Sequence, residues 1–158
     1  MKKNLFILFL IFLIPNKAFA LIEVDITRGN LNPLPLAVSP LSIDDNSKKS
    51  FENILKKENI GSEISIIVEN NLRTSGLFNP LNKDAFLQAP DIANLKPRFE
   101  DWNLIKAQAL ITGKVRYVDD KLRVEFRLWD VLAAKEMMAL AFTTVPSNWR
   151  RVGHIISD

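Results

Sequence analysis

The clearest pattern in the chain is the alternation of apolar and polar positions between residues 109 and 145. Residues 109–118 and residues 122–129 largely alternate, with Asp119-Asp120 between them, and residues 137–145 form a third, mostly apolar run. A period of two is typical of strands with one buried face, and short connections between such strands indicate an antiparallel meander. On the buried side of the first strand the pattern places Ala109, Ile111, Gly113, Val115 and Tyr117.

Helical spacing marks one long helix before this meander. Its apolar positions are Ile60, Ile64, Ile67, Val68 and Leu72. Ser62 is predicted to be its N-cap and Gly76 its C-terminal stop.

Weaker signals surround that helix. The polar residues 42–49 favour a loop, and residues 50–58 predict a short helix with Phe51 on its buried face, together with Ile54 and Leu55. Pro97 is suited to the first position of another helix, whose buried face would carry Phe99, Trp102 and Ile105.

The last predicted helix follows Pro146-Ser147, with Ser147 as its N-cap. Its apolar face comprises Trp149, Val152, Ile155 and Ile156. No glycine, proline or basic last turn closes it before Asp158. The pattern therefore favours a natural protein that continues beyond this residue.

The segment before the main domain has the pattern of a short strand on a flexible connection. Residues 21–26 alternate between apolar and acidic side chains, Arg28-Gly29-Asn30 is typical of a turn, and residues 32–35 carry two prolines. Two interpretations follow from this pattern. The strand either lies at the edge of the protein's own sheet, or it adds to the sheet edge of another protein, and the two states can alternate.

Residues 1–20 have the layout of a secretory signal peptide. Lys2-Lys3 is followed by ten apolar residues at 5–14 and by Ala18-Phe19-Ala20, which suits signal peptidase. An apolar run of ten is too short to span a bilayer, which takes about 20 residues. We therefore expect residues 21–33 to be the amino-terminal strand and linker, residues 34–158 to be one domain, and no membrane insertion after cleavage.

Composition excludes several classes of chemistry. Removing Lys2, Lys3 and Lys17 from the 21 Lys and Arg leaves 18, which equals the 18 Asp and Glu, so charge gives no general case for binding nucleic acid. The sequence has no cysteine and one histidine, His154. Disulfides, thiolate metal sites and histidine-rich catalytic or metal centres are therefore not expected.

The remaining candidate motifs favour structural roles. Asp44-Asp45 and Asp119-Asp120 fall in predicted turns. His154, Ser157 and Asp158 lie too close together on one helix to form a catalytic triad, and no nucleophile elbow is present. We therefore expect that the protein is not an enzyme and that it binds no cofactor.

Aromatic residues are predicted to act as anchors. In Trp149-Arg150-Arg151 the tryptophan is expected in the core and the arginines in solvent, with a partner-binding patch as the alternative. Trp102 and Trp129 are expected to be core or interface residues.

Several ordered segments resemble the amino-terminal domain of the TolB family, the periplasmic component of the Tol-Pal system. They cover nearly all of the chain after the signal peptide. The segments are Val24-Asp25-Ile26-Thr27-Arg28-Gly29, Pro35-Leu36-Ala37-Val38-Ser39-Pro40, Asn71-Leu72-Arg73-Thr74-Ser75-Gly76-Leu77-Phe78-Asn79-Pro80, Trp102 ahead of Ile111-Thr112-Gly113-Lys114-Val115, Arg127-Leu128-Trp129-Asp130, and Trp149-Arg150-Arg151-Val152-Gly153-His154-Ile155-Ile156-Ser157-Asp158.

This resemblance implies an α/β fold with a mixed β-sheet and flanking helices in two layers. Family members continue into a six-bladed β-propeller that binds the lipoprotein Pal. No propeller is present in these residues, so Pal is expected as a partner only where a propeller follows. Residues 42–59 look longer and more charged than in the family.

The resemblance also implies a function and a partner. The system links the inner and outer membranes, maintains outer-membrane integrity and supports outer-membrane constriction during cell division. The extreme amino terminus of the mature protein binds the C-terminal domain of the inner-membrane protein TolA. On this basis the partner-binding residues are predicted to be Leu21, Ile22, Glu23, Val24, Asp25, Ile26 and Thr27. The alternative is a secreted α/β module that binds a small ligand.

Overall fold

The computed structural model describes residues 32–158 as an α/β domain built on one mixed sheet. Short 3-10 turns occupy Lys83–Ala85 and Pro146–Asn148. In chain order the strands and helices are β1 (Leu34–Val38), β2 (Ser42–Ile43), α1 (Asp45–Leu55), α2 (Ile60–Thr74), β3 (Phe78–Pro80), α3 (Pro90–Leu95), α4 (Phe99–Leu104), β4 (Ala109–Val118), β5 (Lys121–Asp130), β6 (Lys135–Thr144) and α5 (Trp149–Ser157).

The sheet has the strand order β3-β1-β4-β5-β6, and β2 pairs with β4 beyond the end of β1. Strand β1 runs parallel to both β3 and β4, whereas β5 is antiparallel to both of its neighbours, β4 and β6. The two ends of this order, β3 and β6, are not joined to each other. The predicted mixed sheet with flanking helices is therefore confirmed, and the predicted meander is its antiparallel half.

The main core lies between one face of the sheet and helices α1, α2 and α5. Strands β1, β4 and β5 contribute alternate residues to it, and α2 contributes Ile60, Ile64, Val68 and Leu72, as its spacing predicted. Burial of an aliphatic side chain of this kind stabilises a fold by about 1.5–3 kcal/mol. This layer is the source of most of the domain's apolar burial.

A smaller core occupies the opposite face of the sheet beneath α3 and α4. Trp102 of α4 is 1% exposed and packs with Ala37 and Leu110, whose neighbours in sequence belong to the main core. The alternation of β1 and β4 thus serves two cores, because successive side chains of a strand point to opposite faces.

The β4–β5 hairpin follows the predicted pattern closely. Ten residue pairs run from Ala109↔Asp130 to Val118↔Lys121. Asp119 and Asp120, the predicted turn, both have positive φ (49° and 57°). Two successive residues of this kind make the tight hairpin turn whose twist matches that of the strands.

Residues 42–55 correct the prediction of a loop followed by a helix at residue 50. Ser42 and Ile43 form β2, and α1 already begins at Asp45. Asp44 caps the helix by accepting the Ser47 backbone N–H at 2.9 Å. Ser47 is buried, and its Oγ accepts the Tyr117 backbone N–H from β4 at 2.8 Å.

The Asp44 cap gives a pH-dependent prediction. Its bond from the Ser47 backbone N–H holds the pKa of the carboxyl below its ordinary value of 3.8. A carboxyl with a lowered folded-state pKa contributes stability above its unfolded-state pKa and loses it as the pH falls through the folded value. We expect Asp44→Ala to cost about 1 kcal/mol in the free energy of unfolding at neutral pH. Urea titrations at several pH values should show this difference shrinking in acid.

Asp45 supplies the matched control, since it is the exposed neighbour in the first helical turn. Asp45→Ala should change the free energy of unfolding much less than Asp44→Ala at neutral pH. Equal effects of the two substitutions would show that the cap at Asp44 is not what stabilises the helix.

The structure also corrects several predicted helix caps and start positions. Helix α2 is capped by Asn59, whose Oδ1 accepts the Ser62 backbone N–H, so Ser62 lies in the first turn and is not the cap.

Pro90 opens α3, a helix that the sequence did not predict, while α4 begins at Phe99, two residues after Pro97. Ser147 lies in a 3-10 turn before α5 and makes no capping bond. Gly76 has φ +73°, as expected of a residue that terminates a helix.

Candidate functional site

The predicted TolA-binding residues lie outside the described part of the chain, so their placement stays a prediction. The structure does define the point at which that segment joins the domain. Strand β1 begins at Leu34, whose backbone N–H donates to the Leu77 carbonyl at 2.9 Å, and the Pro35 carbonyl accepts from the Gln108 backbone at 2.9 Å. The linker therefore ends on a strand held between two parallel neighbours.

The paired carboxylates predicted to be turn residues have local partners. Asp44 is the α1 cap, and Asp45 follows it in the helix and not in a turn. Asp120 accepts the Tyr117 hydroxyl at 2.9 Å, and this bond raises the pKa of Tyr117 above 10.0. These bonds hold backbone and side chains in place and give no pair of carboxylates converging on a common point.

His154, Ser157 and Asp158 come from the last turns of α5, and a residue of α2 bridges two of them. Asn71 donates through Nδ2 to Ser157 Oγ at 2.7 Å, and the same nitrogen lies 2.8 Å from His154 Nδ1. Ser157 Oγ also lies 2.9 Å from the His154 carbonyl. Asn71 thus ties α5 to α2, which is a structural contact between helices.

Trp149 is in the core, as the sequence predicted, and Arg150 and Arg151 are exposed. The Arg150 guanidinium lies 4.7 Å from the centre of the Trp149 ring, and Lys57 approaches the same ring at 5.2 Å. Cations over an indole ring are attracted by its electron-rich face. The cluster therefore covers one side of the main core.

The opposite sheet face carries a set of ion pairs that the sequence pattern did not indicate. Glu125 of β5 accepts from Arg116 at 2.6 Å and from Arg123 at 2.8 Å, and bonding to Arg123 is the leading cause of its lowered pKa. Arg127 pairs with Glu136 of β6 at 3.2 Å. Alternation predicted that these residues share a face, but the pairs depend on strand register.

A second ionic group links α2 to the 3-10 turn after β3. Burial opposes ionisation of Glu69, but its bonds from Lys83 at 2.9 Å and Arg73 at 2.6 Å outweigh that effect and lower its pKa. The surface cleft beside it has a volume of about 540 Å³ and is lined mainly by polar and charged side chains. Small-molecule sites are usually apolar and enclosed, so this cleft does not favour the ligand-binding alternative.

Two general properties of residues 32–158 also bear on function. Within this range, acidic and histidine side chains do not gather in groups of three that could hold a metal ion. Its helices are also too short or too polar to cross a membrane.

The fold places the chain among α/β domains with an open mixed sheet and a helical layer on its main face. A protein-family model described as the TolB amino-terminal domain matches residues 22–137. The chain belongs to this family.

Comparison with individual proteins agrees with this assignment. Over 156 residues the chain is 83% identical to the Tol-Pal system protein TolB of Pelagibacter ubique (strain HTCC1062). The match covers 99% of this chain and 34% of that protein, so the chain spans about a third of the length of this curated relative.

Solved structures show the same fold. TolB from Acinetobacter baumannii superimposes with a TM-score of 0.59 at 21% identity, covering 80% of this chain and 27% of that one. A variant PelC dodecamer from Paraburkholderia phytofirmans gives a TM-score of 0.51 at 19% identity, with 79% and 86% of the two chains covered.

Proposed function

We propose that this chain is a non-catalytic interaction domain of the Tol-Pal envelope system, acting in the periplasm, and that residues 21–27 bind the C-terminal domain of TolA. The observation that carries the proposal is the 83% identity to a Tol-Pal system TolB over 99% of the chain. That match spans 156 of the 158 residues, so it includes the alternating segment.

The chemistry of residues 21–27 fits strand addition. Ile22, Val24 and Ile26 share one side of an extended strand, and Glu23 and Asp25 share the other. When a strand adds to a sheet edge, main-chain hydrogen bonds supply affinity and the alternate side chains that enter pockets supply specificity. The apolar side is therefore proposed to face TolA.

Residues 21–27 are proposed to form a segment that can leave the domain without unfolding the rest. The main core is built from residues between Leu36 and Val152, and the smaller core from residues between Ala37 and Val131. We propose that residues 21–27 are not required by either core. Terminal segments with few obligatory contacts can open at low free-energy cost.

In the cell, this interaction would connect the inner membrane to the outer membrane and support outer-membrane integrity and constriction at division. A propeller-binding partner such as Pal would engage the part of the relative's length that this chain does not span. The chain's own contribution is proposed to be the TolA contact.

The proposed function is tested by deleting residues 21–27 and measuring binding of the TolA C-terminal domain by calorimetry. We expect binding to be lost, while the free energy of unfolding changes by less than about 0.5 kcal/mol, as is usual for changes away from the core. Unchanged affinity in the deletion would reject the proposal.

Two double variants act as matched probes of the strand's sides. Ile22→Lys with Val24→Lys should weaken binding strongly, because these side chains are proposed to enter pockets. Glu23→Gln with Asp25→Asn should have a smaller, salt-dependent effect. Equal losses from both pairs would argue against recognition through the apolar side.

A further inference from the structure

A cluster of three hydrogen-bonding side chains joins the last turns of α2 and α5. One nitrogen atom, Asn71 Nδ2, lies 2.7 Å from Ser157 Oγ and 2.8 Å from His154 Nδ1. Asn71 and Ser157 are partly buried, and His154 is exposed. The cluster thus brings the single histidine of the sequence into contact with a residue of another helix.

The direction of these hydrogen bonds follows from the hydrogens that are available. Ser157 Oγ lies 2.9 Å from the His154 carbonyl oxygen and 3.2 Å from the Gly153 carbonyl oxygen. A serine hydroxyl has one hydrogen and a carbonyl oxygen can only accept, so the hydroxyl hydrogen is used within α5. Ser157 Oγ must then accept from Asn71, which turns the NH₂ group of Asn71 toward the cluster. The second hydrogen of this NH₂ group is left for His154 Nδ1.

His154 Nδ1 can accept that hydrogen only while it carries none of its own. In a neutral imidazole one nitrogen donates and the other accepts, whereas in the imidazolium both nitrogens donate. The bonds therefore correspond to a neutral His154 with its hydrogen on Nε2. Histidine is the side chain that ordinarily changes its charge between roughly pH 5 and 8. Acid thus converts His154 Nδ1 into a donor, which opposes the NH₂ group of Asn71.

The other end of the Asn71 amide offers a way to accommodate this proton. Asn71 Oδ1 accepts no hydrogen bond from the described residues, and it is not one of their buried atoms that lack a partner, so water reaches it. The last torsion of an asparagine side chain is broad and nearly two-fold, so a half-turn exchanges Oδ1 and Nδ2 with little displacement. After such a turn Oδ1 lies in the cluster, and the NH₂ group takes the position that water reaches.

We propose that Asn71 is a two-position switch that is operated by the protonation of His154. In the neutral state its NH₂ group donates to His154 Nδ1 and Ser157 Oγ. In the protonated state its Oδ1 accepts from the imidazolium Nδ1–H and from the Ser157 hydroxyl. A hydrogen bond from a charged donor is shorter and stronger than a neutral one. Helix α5 therefore stays attached to α2 in both states, while the surface at this contact gains one positive charge.

The charged groups around His154 do not account for such a response. The charged side chains of α2, α5 and the residue after α5 are Glu63, Glu69, Arg73, Arg150, Arg151 and Asp158. Those of α2 all belong to ion pairs with other residues. The 3-10 turn before α5 has no charged side chain, and the ion-paired residues of β5 lie on the opposite sheet face. The ion pairs among residues 32–158 do not include His154, so Asn71 is the group on which its Nδ1 proton acts.

Nuclear magnetic resonance of the complete chain tests the switch directly, because one histidine gives one set of imidazole signals. The nitrogen-15 resonance of the Asn71 NH₂ group should shift with the same midpoint as the His154 ring. Its nuclear Overhauser contacts with Ser157 should weaken in acid, since the NH₂ group turns away. The neighbouring Asn70 is the internal reference, and its NH₂ signals should stay constant. Asn71 signals that do not change while His154 titrates would overturn the proposal.

Hydrogen exchange of the α5 backbone separates reversal of the contact from its loss. The protection factors of residues 154–157 should stay the same across the titration, because the contact with α2 persists. Loss of one net hydrogen bond would raise the opening equilibrium by roughly two- to tenfold. A rise of that size on protonation of His154 would show that acid breaks the contact, and the two-position switch would be wrong.

Two neighbouring asparagines provide matched variants. Asn71→Asp introduces a carboxylate, which accepts but does not donate and so fits only the protonated state. The midpoint of the His154 titration should rise by about one pH unit in this variant. Asn70→Asp adds the same charge one residue earlier, where the side chain contacts Arg73, and should shift the midpoint much less.

Salt and the carboxylate of Asp158 are the controls for this comparison. The shift in Asn71→Asp should persist in high salt, because the two groups are in direct contact, whereas a shift in Asn70→Asp should be screened. Combining each variant with Asp158→Asn should leave the difference between them unchanged. Equal midpoints in Asn71→Asp and Asn70→Asp would mean that charge alone acts on His154, and this result would also overturn the switch.

Discussion

Replacing Trp102 with alanine is expected to lower the free energy of unfolding by about 3–5 kcal/mol, the usual cost of removing a fully buried tryptophan. Trp102 is 1% exposed and fills the centre of the smaller core, where its ring meets the Phe86 ring edge-on with centres 5.0 Å apart. A loss of this size is a large part of the roughly 5–15 kcal/mol by which typical domains are stable. Urea unfolding followed by circular dichroism measures it without relying on tryptophan fluorescence.

The indole N–H of Trp102 also makes a hydrogen bond, and a second variant separates the contribution of this bond to stability from that of apolar burial. It donates to Gln88 Oε1 at 2.7 Å, and the same oxygen accepts the Arg98 backbone N–H at 2.8 Å. Trp102→Phe retains part of the apolar burial and removes this bond, so its cost should be clearly smaller than that of Trp102→Ala. Leu95→Ala is an exposed control expected to change stability by less than about 0.5 kcal/mol. If Trp102→Ala behaved like this control, the smaller core would not contribute to global stability.

Replacing Gly61 with alanine is expected to destabilise the protein by about 1–3 kcal/mol, although the same change within a helix ordinarily stabilises it. Gly61 lies in the first turn of α2. A Cβ added there would collide with the backbone carbonyl oxygen of Leu41. A backbone atom cannot move aside as a flexible side chain can, so α2 or the β1–β2 connection would have to shift.

Hydrogen bonds make that shift costly. The Leu41 backbone N–H donates to Ser65 Oγ at 3.0 Å, and Ser65 Oγ also lies 3.2 Å from the Ser39 carbonyl. Both contacts join α2 to the connection that Gly61 touches, and moving one element away would break them. A buried polar group that loses its partner costs about 1–3 kcal/mol.

Gly153 in α5 is the matched control for Gly61. A Cβ at Gly153 would meet the Ile67 side chain at 2.9 Å and the Ile64 carbonyl oxygen at 3.4 Å. Both contacts at Gly153 are longer than the contact with the Leu41 carbonyl oxygen at Gly61, and alanine gains helix propensity, so Gly153→Ala should be less destabilising than Gly61→Ala. Thermal unfolding of the two variants provides the comparison. Equal midpoints would mean that the approach of α2 to Leu41 is not as close as the structure shows.

Local patterns predict the elements in which apolar residues recur at a regular period. The β4–β5 hairpin and helix α2 are of this kind, because each has a regular period and turn or stop residues with a clear conformational preference. Trp149 and Trp102 are likewise predicted to be anchors from their size and spacing, and both are buried.

The prediction fails where a polar side chain is buried by a partner far away in sequence. Residues 42–49 look like a loop, but Ser47 is buried through its bond to Tyr117, which lies 70 residues further along. No local pattern contains that partner. Helix α3 has no clear signal in the sequence. It begins at Pro90, in a position that proline tolerates because the first helical N–H groups have no helical acceptor.

By itself the sequence determined the class of this protein and the approximate place of its strands and long helix, because hydrophobic period, turn residues and the ordered family segments are local properties. Only the tertiary structure decided which faces and edges are covered. All three strands of the meander are recognisable in the sequence, yet β4 lies inside the sheet while β6 lies at its edge with Met138 and Leu140 exposed. The physical reason is that a strand's pattern specifies a buried side, whereas the occupancy of its hydrogen-bonding edges depends on neighbours brought together by the whole fold.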